Sequence, residues 1–294
     1  MTAYMVEFPA EYDAAVYKSE NAELANFSPQ LLEQHYYLYG VPEGRPGNAL
    51  KTRTDFLTLI PSTAKVLEIG PYFSPSMTGE NVKYFDVLSR EQLIERAISQ
   101  GQTEPNPPHI DYVSPVADLG VIDAKFDYIV SSYCIEHQTD LIKHLQDVEN
   151  LLHPGGSYFV MAPDKRYCHD YWMKESGVAE VLGAHHENRT THPFRSVVEH
   201  LALSAHNDHF RHWAGDHGYP YEDFLPRLDR AKHVFENANG NYVDVHSWYF
   251  TPDSMREIIH ILNRTGDVKL SCARCYDTRR DHNDFWVILQ KANS

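Results

Sequence analysis

The stretch that decides the fold is Val66–Pro71, which reads VLEIGP. It is an apolar run with an acidic residue, Glu68, one position before its end and with Gly70 where the chain turns. Such a run is typical of a buried strand, and a glycine allows a tight turn that brings the backbone close to a ligand. In open α/β sheets, cofactors bind at the carboxyl edge of the first strand. The stretch therefore predicts a first strand that ends in a cofactor-binding turn.

Short β-rich runs alternate with helical segments after this stretch, and the alternation is typical of a parallel α/β sheet. A helix is predicted over Asp140–Leu152 because its apolar side chains fall on one face. A second helix is predicted after Thr251, a capping residue that Pro252 follows. The predicted strands are Lys65–Ile69, Val82–Val87, Ile110–Val113, Phe126–Ser131, Ser157–Ala162, about Val268–Cys272 and Phe285–Leu289.

The alternation is interrupted once, and this divides the chain into three predicted parts. Residues 1–50 form a small helical extension that ends at a glycine- and proline-rich break. Residues 51–164 and 246–294 form the α/β domain. Residues 165–245 form a polar, aromatic insertion, and eleven of the eighteen histidines of the chain fall between His169 and His246.

Composition and charge exclude several classes of protein. The chain has 294 residues, with 26 Lys and Arg against 41 Asp and Glu, which gives a net charge of −15. This charge argues against a nucleic-acid or anionic-membrane surface, because clustered basic residues supply the attraction to phosphate. No apolar run approaches the roughly 18 residues of a membrane helix, and the first residues do not read as a leader peptide. We therefore expect a globular cytoplasmic protein without stable membrane insertion.

Acidic residues at the ends of two predicted strands are candidates for cofactor binding. Asp86 ends the second strand, where a carboxylate can accept hydrogen bonds from both hydroxyls of a ribose. Asp118 follows the third strand and can accept from an adenine amino group while Leu119 packs on the ring. The turn at Gly70 has one glycine and two prolines, so the G-x-G-x-x-G phosphate cradle of dinucleotide sites is missing. The missing phosphate cradle disfavours NAD and FAD as the cofactor.

Several motifs together resemble the class I S-adenosylmethionine-dependent methyltransferases. They are VLEIGP, the YFD that ends the second strand, FDYIVSSYCIEH and LLHPGGSYFVMAPDKRY. The likeness covers about residues 64–166 and 246–290 and implies a Rossmann-like, seven-stranded sheet with a large insertion after the fifth strand. PDKRYCHDYW, AHHENRTTH and DFWVILQK are similar to a branch found with bacterial polysaccharide and lipopolysaccharide biosynthesis.

This resemblance implies S-adenosylmethionine as the cofactor. Asp86 would hold the ribose, Asp118 and Leu119 would lie by the adenine, and Tyr133 would line the methionine end. The sequence departs from the family pattern at Tyr72, which stands where a second glycine is usual. The cofactor-binding residues that follow from the resemblance are Glu68, Gly70, Pro71, Asp86, Asp118, Leu119 and Tyr133.

Methyl transfer to a sugar hydroxyl requires that the hydroxyl proton be removed, and a histidine near its ordinary pKa of about 6.5 is a suitable base. His137 is the first candidate, because it follows the fourth strand at the carboxyl edge of the sheet. His169 and Asp164 come next, since both follow the fifth strand. The alternative for His137 is a structural one, in which its side chain braces the helix that it begins.

The histidine-rich insertion is interpreted as a lid over the acceptor, with aromatic rings that stack on sugars and with His and Arg donors. His206, His209 and His212 step by three along a possible helix, which makes a metal site conceivable. No H-E-x-x-H is present, and Tyr133 stands where magnesium-dependent catechol-type enzymes have an aspartate. No metal is therefore expected.

The leading hypothesis is an O-methyltransferase for a sugar of a bacterial envelope glycan, with a sugar or glycan acceptor as its partner and possible homo-oligomers. A methyltransferase for a small-molecule nitrogen or phenol is the nearest alternative. A nucleotide-sugar oxidoreductase or epimerase using NAD is the alternative from another class, although the glycine-rich turn it needs is missing. An inactive binding module is disfavoured because Glu68, Gly70 and Asp86 are all present.

Overall fold

A seven-stranded mixed sheet forms the centre of the computed structural model, which describes residues 7–293. Its strands are β1 (Val66–Ile69), β2 (Val82–Asp86), β3 (Tyr112–Val113), β4 (Phe126–Ser132), β5 (Leu152–Pro163), β6 (Ser271–Tyr276) and β7 (Asp284–Gln290). Their spatial order is β3-β2-β1-β4-β5-β7-β6. The first five strands are parallel, and β7 runs antiparallel to both β5 and β6. This confirms the predicted Rossmann-like α/β fold.

Helices lie before, between and after the strands. They are α1 (Ala14–Glu20), α2 (Pro29–His35), α3 (Arg53–Leu57), α4 (Arg90–Ser99), α5 (Leu141–Leu151), α6 (Val178–His186), α7 (Phe194–Ala202), α8 (His209–Trp213), α9 (Phe224–Ala238) and α10 (Pro252–Thr265). Among the described residues, no helix is both long enough and apolar enough to cross a membrane.

Each face of the sheet has its own apolar core. The apolar sides of α5, α6 and α10 pack on one face, where Leu145 and Ile259 are fully buried. The amino-terminal segment and α3 cover the other face with Phe8 and Phe56. Because both faces are covered, the central strands are apolar on both sides, as the sequence of β1 predicted.

The predicted strands and helices are all present, and they differ from the structure at several of their ends. Asp140 caps α5 rather than lying in it, since its carboxylate accepts from the Lys143 N–H at 2.9 Å. The Pro-Gly-Gly segment at 154–156, interpreted as a helix stop, lies within β5. The sixth strand begins at Ser271, three residues later than predicted. Val268 and Leu270 were predicted to lie in the strand because they are apolar, but they belong to the connection after α10 and pack in the core there.

The insertion is anchored to the α/β domain at one end and has a small core of its own at the other. Val181 and Ala184 of α6 belong to the main core. By contrast, α7 and α9 pack on each other through a separate cluster that includes Val197 and Ala231. A third cluster, built around Tyr17 and Tyr36, holds the amino-terminal helices together.

Candidate active site

A cavity of about 360 Å³ opens at the carboxyl edge of the parallel strands. Parallel strands place their carboxyl ends at one edge, so residues that are distant in sequence meet there. The cavity receives residues from the turns after β1, β2 and β4, from the loop after β3, and from the insertion. The residues on its wall that matter for the argument are Gly70, Tyr72, Asp86, Leu119, Tyr133, His137, Thr190, Tyr242 and Asp244.

Asp86 is placed as the sequence predicted, at the end of β2 on the cavity wall. Its side chain is buried, and its carboxylate accepts the Leu88 N–H at 3.0 Å. Burial raises the pKa of Asp86, although backbone hydrogen bonds work in the opposite direction. A buried carboxylate with acceptor capacity left over suits the paired hydroxyls of a ribose.

The turn after β1 is divided between residues that line the cavity and residues that support it. Gly70 lines the cavity with φ = +71°, a conformation that favours glycine. Glu68 lies outside the lining: its carboxylate accepts the N–H groups of Ser76 at 2.6 Å and Met77 at 2.9 Å. Burial raises the pKa of Glu68 to about 7. Glu68 thus fixes the loop behind the cavity, and Pro71 is buried outside the lining as well.

The loop after β3 brings Leu119 to the cavity but turns Asp118 away from it. Leu119 is buried and lines the wall. The Asp118 side chain is half exposed and accepts the N–H of Gly120 at 3.0 Å, so it caps a single 3₁₀ turn. Of the two residues predicted to lie by the adenine, Leu119 therefore reaches the cavity and the Asp118 carboxylate does not.

Tyr133 follows β4 and is held rigidly on the cavity wall. Its hydroxyl donates to Asn283 Oδ1 at 2.8 Å and accepts from Arg53 Nη2 at 2.6 Å. Burial raises the pKa of Tyr133, so the hydroxyl stays protonated. The residue has φ = +49°, in the left-handed region that side chains rarely adopt and that is enriched at functional sites.

His137 lies on the cavity wall at the end of the short turn after β4. Its Nδ1 is 2.9 Å from Asp244 Oδ1, and Arg96 pairs with the other oxygen of the same carboxylate. Burial opposes ionisation of Asp244, but His137 and Arg96 hold its pKa far below the usual range. The carboxylate is therefore charged, and it orients the imidazole.

The other two candidate bases are outside this cavity. Asp164 is fully buried, and its carboxylate is held by Arg166 at 2.6 Å and by the Thr278 hydroxyl at 2.6 Å. These contacts occupy the carboxylate and give Asp164 a structural role. His169 lies behind the cavity wall, with its ring centroid 4.8 Å from that of His246. The structure therefore brings one of the three predicted bases, His137, to the cofactor edge.

The three histidines singled out in the insertion do not share one helix, because His209 and His212 lie in α8 whereas His206 precedes it. His212 Nε2 lies 3.0 Å from the carbonyl of His206, and its Nδ1 lies 3.1 Å from His217 Nδ1. Over residues 7–293, the histidines that could share a metal ion lie elsewhere, around His246. Sequence reasoning used His246 as a domain boundary, and it missed Asp244 and Tyr242, which no local motif marks.

The lining fits S-adenosylmethionine better than a dinucleotide. Asp86 offers a buried acceptor for a ribose, and Leu119 and Phe85 offer apolar faces for a purine. The turn at Gly70 has no succession of glycines that could place N–H groups around a pyrophosphate. The residues present therefore suit a nucleoside cofactor without phosphates.

Comparison with known proteins gives a family. A family model described as a methyltransferase domain matches residues 43–260. Among solved structures, the glycopeptide N-methyltransferase MtfA is 17% identical over 38% of this chain and 52% of its own, with a TM-score of 0.29.

Two other solved structures are similar to the same extent. The CcbJ methyltransferase from Streptomyces caelestis is 18% identical over 39% of this chain and 52% of its own, with a TM-score of 0.27. TehB from Haemophilus influenzae is 17% identical over 38% of this chain and 40% of its own, with a TM-score of 0.27. The chain thus spans about half the length of these proteins. A search of curated proteins gave no match. Because the family model covers more than half of the chain, the protein belongs to the methyltransferase-domain family.

Proposed function

We propose that this methyltransferase uses S-adenosylmethionine to methylate a hydroxyl group of a sugar, in the assembly of a bacterial envelope glycan. One observation carries the proposal: a single cavity at the carboxyl edge of the sheet contains both the buried Asp86 and, in its wall, the His137–Asp244 pair. The Asp86 carboxylate suits the nucleoside of the cofactor, and the His137–Asp244 pair suits an acceptor whose proton has to be removed.

The bound cofactor supplies a methyl group that is already activated on a sulfonium sulfur. The protein then has to hold the nucleoside, align the acceptor and help its proton to leave. Asp86 would accept from the ribose, Leu119 would pack on the adenine, and Tyr133 would face the methionine end. Alignment of two reactants can lower a barrier by as much as ~7–11 kcal/mol, so positioning is the larger share of this task.

The insertion supports an acceptor that is polar and ring-shaped. Thr190, Tyr242 and Asp244 reach the cavity from it, so residues 165–245 contribute directly to the wall. Trp172 is half exposed, and the Tyr167 and Trp213 rings stack with centroids 3.7 Å apart. None of these three rings lines the cavity, so they would contact only a part of a sugar acceptor that extends beyond it. A nitrogen or phenol acceptor is the second candidate, and the same cavity would serve it.

The assignment of His137 as the base rests on its place in the cavity wall and stays a prediction. The cytoplasmic location and a homo-oligomer stay predictions too. So does the division into an extension (1–50), a cofactor domain (51–164 and 246–294) and a lid (165–245).

Replacing Asp86 with asparagine is expected to weaken S-adenosylhomocysteine binding roughly 10–150-fold, because hydrogen bonds to a charged acceptor contribute about 1.5–3 kcal/mol. Isothermal titration calorimetry measures this on the full chain. Asp118→Asn is the matched control, and its half-exposed carboxylate outside the lining should leave the affinity almost unchanged. Unchanged affinity in Asp86→Asn would remove the ribose contact, and binding of NAD in place of S-adenosylhomocysteine would contradict the cofactor.

Residues 165–245 are expected to exchange amide hydrogens more slowly when cofactor and acceptor are both bound. The reason is that Thr190, Tyr242 and Asp244 close the cavity wall and gain contacts on binding. Hydrogen exchange with and without each ligand measures the effect, and α10 in the main core serves as the internal reference. Equal protection of 165–245 in all states would argue against a lid.

A further inference from the structure

Glu136 is a buried carboxylate without a hydrogen-bond partner. Its side chain is fully buried, and no hydrogen-bond donor within residues 7–293 reaches either carboxylate oxygen. Burial of a polar group without a partner is unfavourable, and a bound cation would supply the missing partner of this carboxylate.

Two imidazoles face this carboxylate through the same ring atom. His137 Nε2 is 3.9 Å from Glu136 Oε1, and His246 Nε2 is 4.0 Å from it. The two rings stand edge to face with centroids 4.6 Å apart. One carboxylate oxygen and two imidazole nitrogens therefore surround a single point, without a direct hydrogen bond between them.

Each imidazole has a second carboxylate behind it. His246 Nδ1–H donates to Asp170 Oδ2 at 2.7 Å, and His137 Nδ1 is 2.9 Å from Asp244 Oδ1. Burial opposes the charge of Asp170, but His246 lowers the pKa of that carboxyl to about 2. Histidines that bind metals almost always have such a partner on the other nitrogen, because it fixes the tautomer and orients the ring. His246 has such a hydrogen bond to Asp170, whereas His137 Nδ1 lies close to Asp244 without an aligned hydrogen bond.

The backbone keeps the two halves of this group together. The N–H groups of Ser247 and Trp248 donate to the carbonyl oxygen of Glu136 at 2.8 and 3.2 Å.

Ligands of a tetrahedral ion with bonds of about 2.0–2.1 Å are separated by about 3.3 Å. The two nitrogens therefore need to approach the Glu136 oxygen by about 0.6–0.7 Å, and to lie about 3.3 Å from each other, to bind an ion.

We propose that Glu136, His137 and His246 bind a divalent first-row transition-metal ion such as Zn²⁺, with an open coordination position toward the cavity. Two histidines and one carboxylate are a ligand set that leaves such positions free. His137 lines the cavity, so the open position faces the acceptor. This inference rests on the proposed methyl transfer and deepens it by naming how the acceptor hydroxyl is activated.

The chemistry follows from the charge of the ion. A hydroxyl bound to such an ion would have a lowered pKa and would lose its proton to solvent. Its oxygen would then form the bond to the methyl carbon while the carbon–sulfur bond breaks, and the electron pair of that bond would stay on sulfur. In this arrangement His137 would hold the ion, and solvent would take the proton that the sequence analysis assigned to a free imidazole.

A second group of side chains near His246 could also hold an ion, namely His169, Asp170, His200 and His246. Two of its members already have other partners. Asp170 Oδ2 accepts the hydrogen bond of His246, and His200 Nδ1 accepts the backbone N–H of His246 at 3.2 Å, whereas Asp170 Oδ1 and His169 Nε2 have no hydrogen-bond partner among the described residues. We therefore assign Asp170 as a positioning residue and His200 as a neighbour of the site.

The test is calorimetry of Zn²⁺ binding to the full-length protein after chelator treatment, together with the visible absorption spectrum of the Co²⁺-loaded protein. One ion per chain is expected. Glu136→Gln and His246→Gln should each weaken Zn²⁺ binding at least ~100-fold, since loss of a ligand exceeds the 10–100-fold effect of an outer partner. Both should also reduce the Co²⁺ absorption in the visible range.

His200→Ala is the discriminating control, because the proposal predicts that its Zn²⁺ affinity is unchanged. A loss of affinity equal to that of Glu136→Gln would show that the ion binds to the second group of side chains instead. S-adenosylhomocysteine binding by each variant reports whether it is folded. Stoichiometric S-adenosylhomocysteine binding without Zn²⁺ binding would overturn the metal site and leave the proposed function intact. Zn²⁺ binding without S-adenosylhomocysteine binding would overturn the proposed function and leave the metal site intact.

Discussion

Replacing His137 with alanine is expected to lower kcat by about 10²–10⁴, the range that assistance to proton removal contributes. The expectation holds whether the imidazole accepts the proton or binds the ion that acidifies the hydroxyl, because both act when the acceptor is deprotonated. S-adenosylhomocysteine affinity should change by a few fold at most, since Asp86, the proposed charged contact to the cofactor, is unchanged in this variant. The measurement is steady-state release of S-adenosylhomocysteine with a sugar acceptor that supports turnover.

Variants of the two other candidate bases provide the comparison. His169→Ala and Asp164→Asn should reduce kcat far less than His137→Ala, because neither side chain lines the cavity. Near-normal turnover in His137→Ala combined with a large loss in His169→Ala or Asp164→Asn would contradict the assignment. The essential group would then follow β5, and His137 would be a brace for its turn.

The fold could be predicted because its signals are local. The alternation of short apolar runs with helical segments does not depend on distant contacts, and the cap formed by Thr251 and Pro252 is visible within four residues. The error at β6 has a physical reason: Val268 and Leu270 are buried as part of a connection, and burial in a connection produces the same apolar pattern as burial in a strand.

The candidate site was predictable only as far as strand ends could place it. Asp86, Leu119, Tyr133 and His137 follow strands and do reach the cavity. The partner of His137 could not be predicted, because Asp244 comes from the far side of the insertion, and such a long-range contact leaves no local pattern. Sequence position also could not show that Asp164 is held by Arg166, since only the folded structure brings the ion pair and Thr278 together.

The metal site illustrates a further limit. The spacing of His206, His209 and His212 suggested where an ion was conceivable, but spacing on one helix is only one way to assemble ligands. Glu136 and His137 are adjacent, and His246 joins them through the fold. An unpartnered buried carboxylate is a signal that exists only in the structure, and it is the observation that led to the proposal.

Replacing Trp248 with alanine is expected to lower the free energy of unfolding by about 3–5 kcal/mol, the range for large aromatic side chains in a core. Trp248 is almost fully buried, and its indole N–H donates to the carbonyl of Gln138 at 2.6 Å. It thereby fastens the segment that contains Asp244 and His246 to the turn that contains His137. Urea denaturation followed by circular dichroism measures the loss.

Trp248→Phe separates packing from the hydrogen bond. The phenyl ring fills much of the same space, but the buried carbonyl of Gln138 loses its partner, so a smaller loss of about 1–3 kcal/mol is expected. Both variants should lower kcat more than they weaken S-adenosylhomocysteine binding, because the shifted segment displaces Asp244 and His246 while Asp86 stays on its own strand. A stability change below about 1 kcal/mol in Trp248→Ala would show that other contacts hold the segment, since that is far less than burial of an indole normally contributes. In that case the position of His246 next to Glu136 would depend on the backbone hydrogen bonds from Ser247 and Trp248 to the Glu136 carbonyl and on the contacts of His246 with Asp170 and His200.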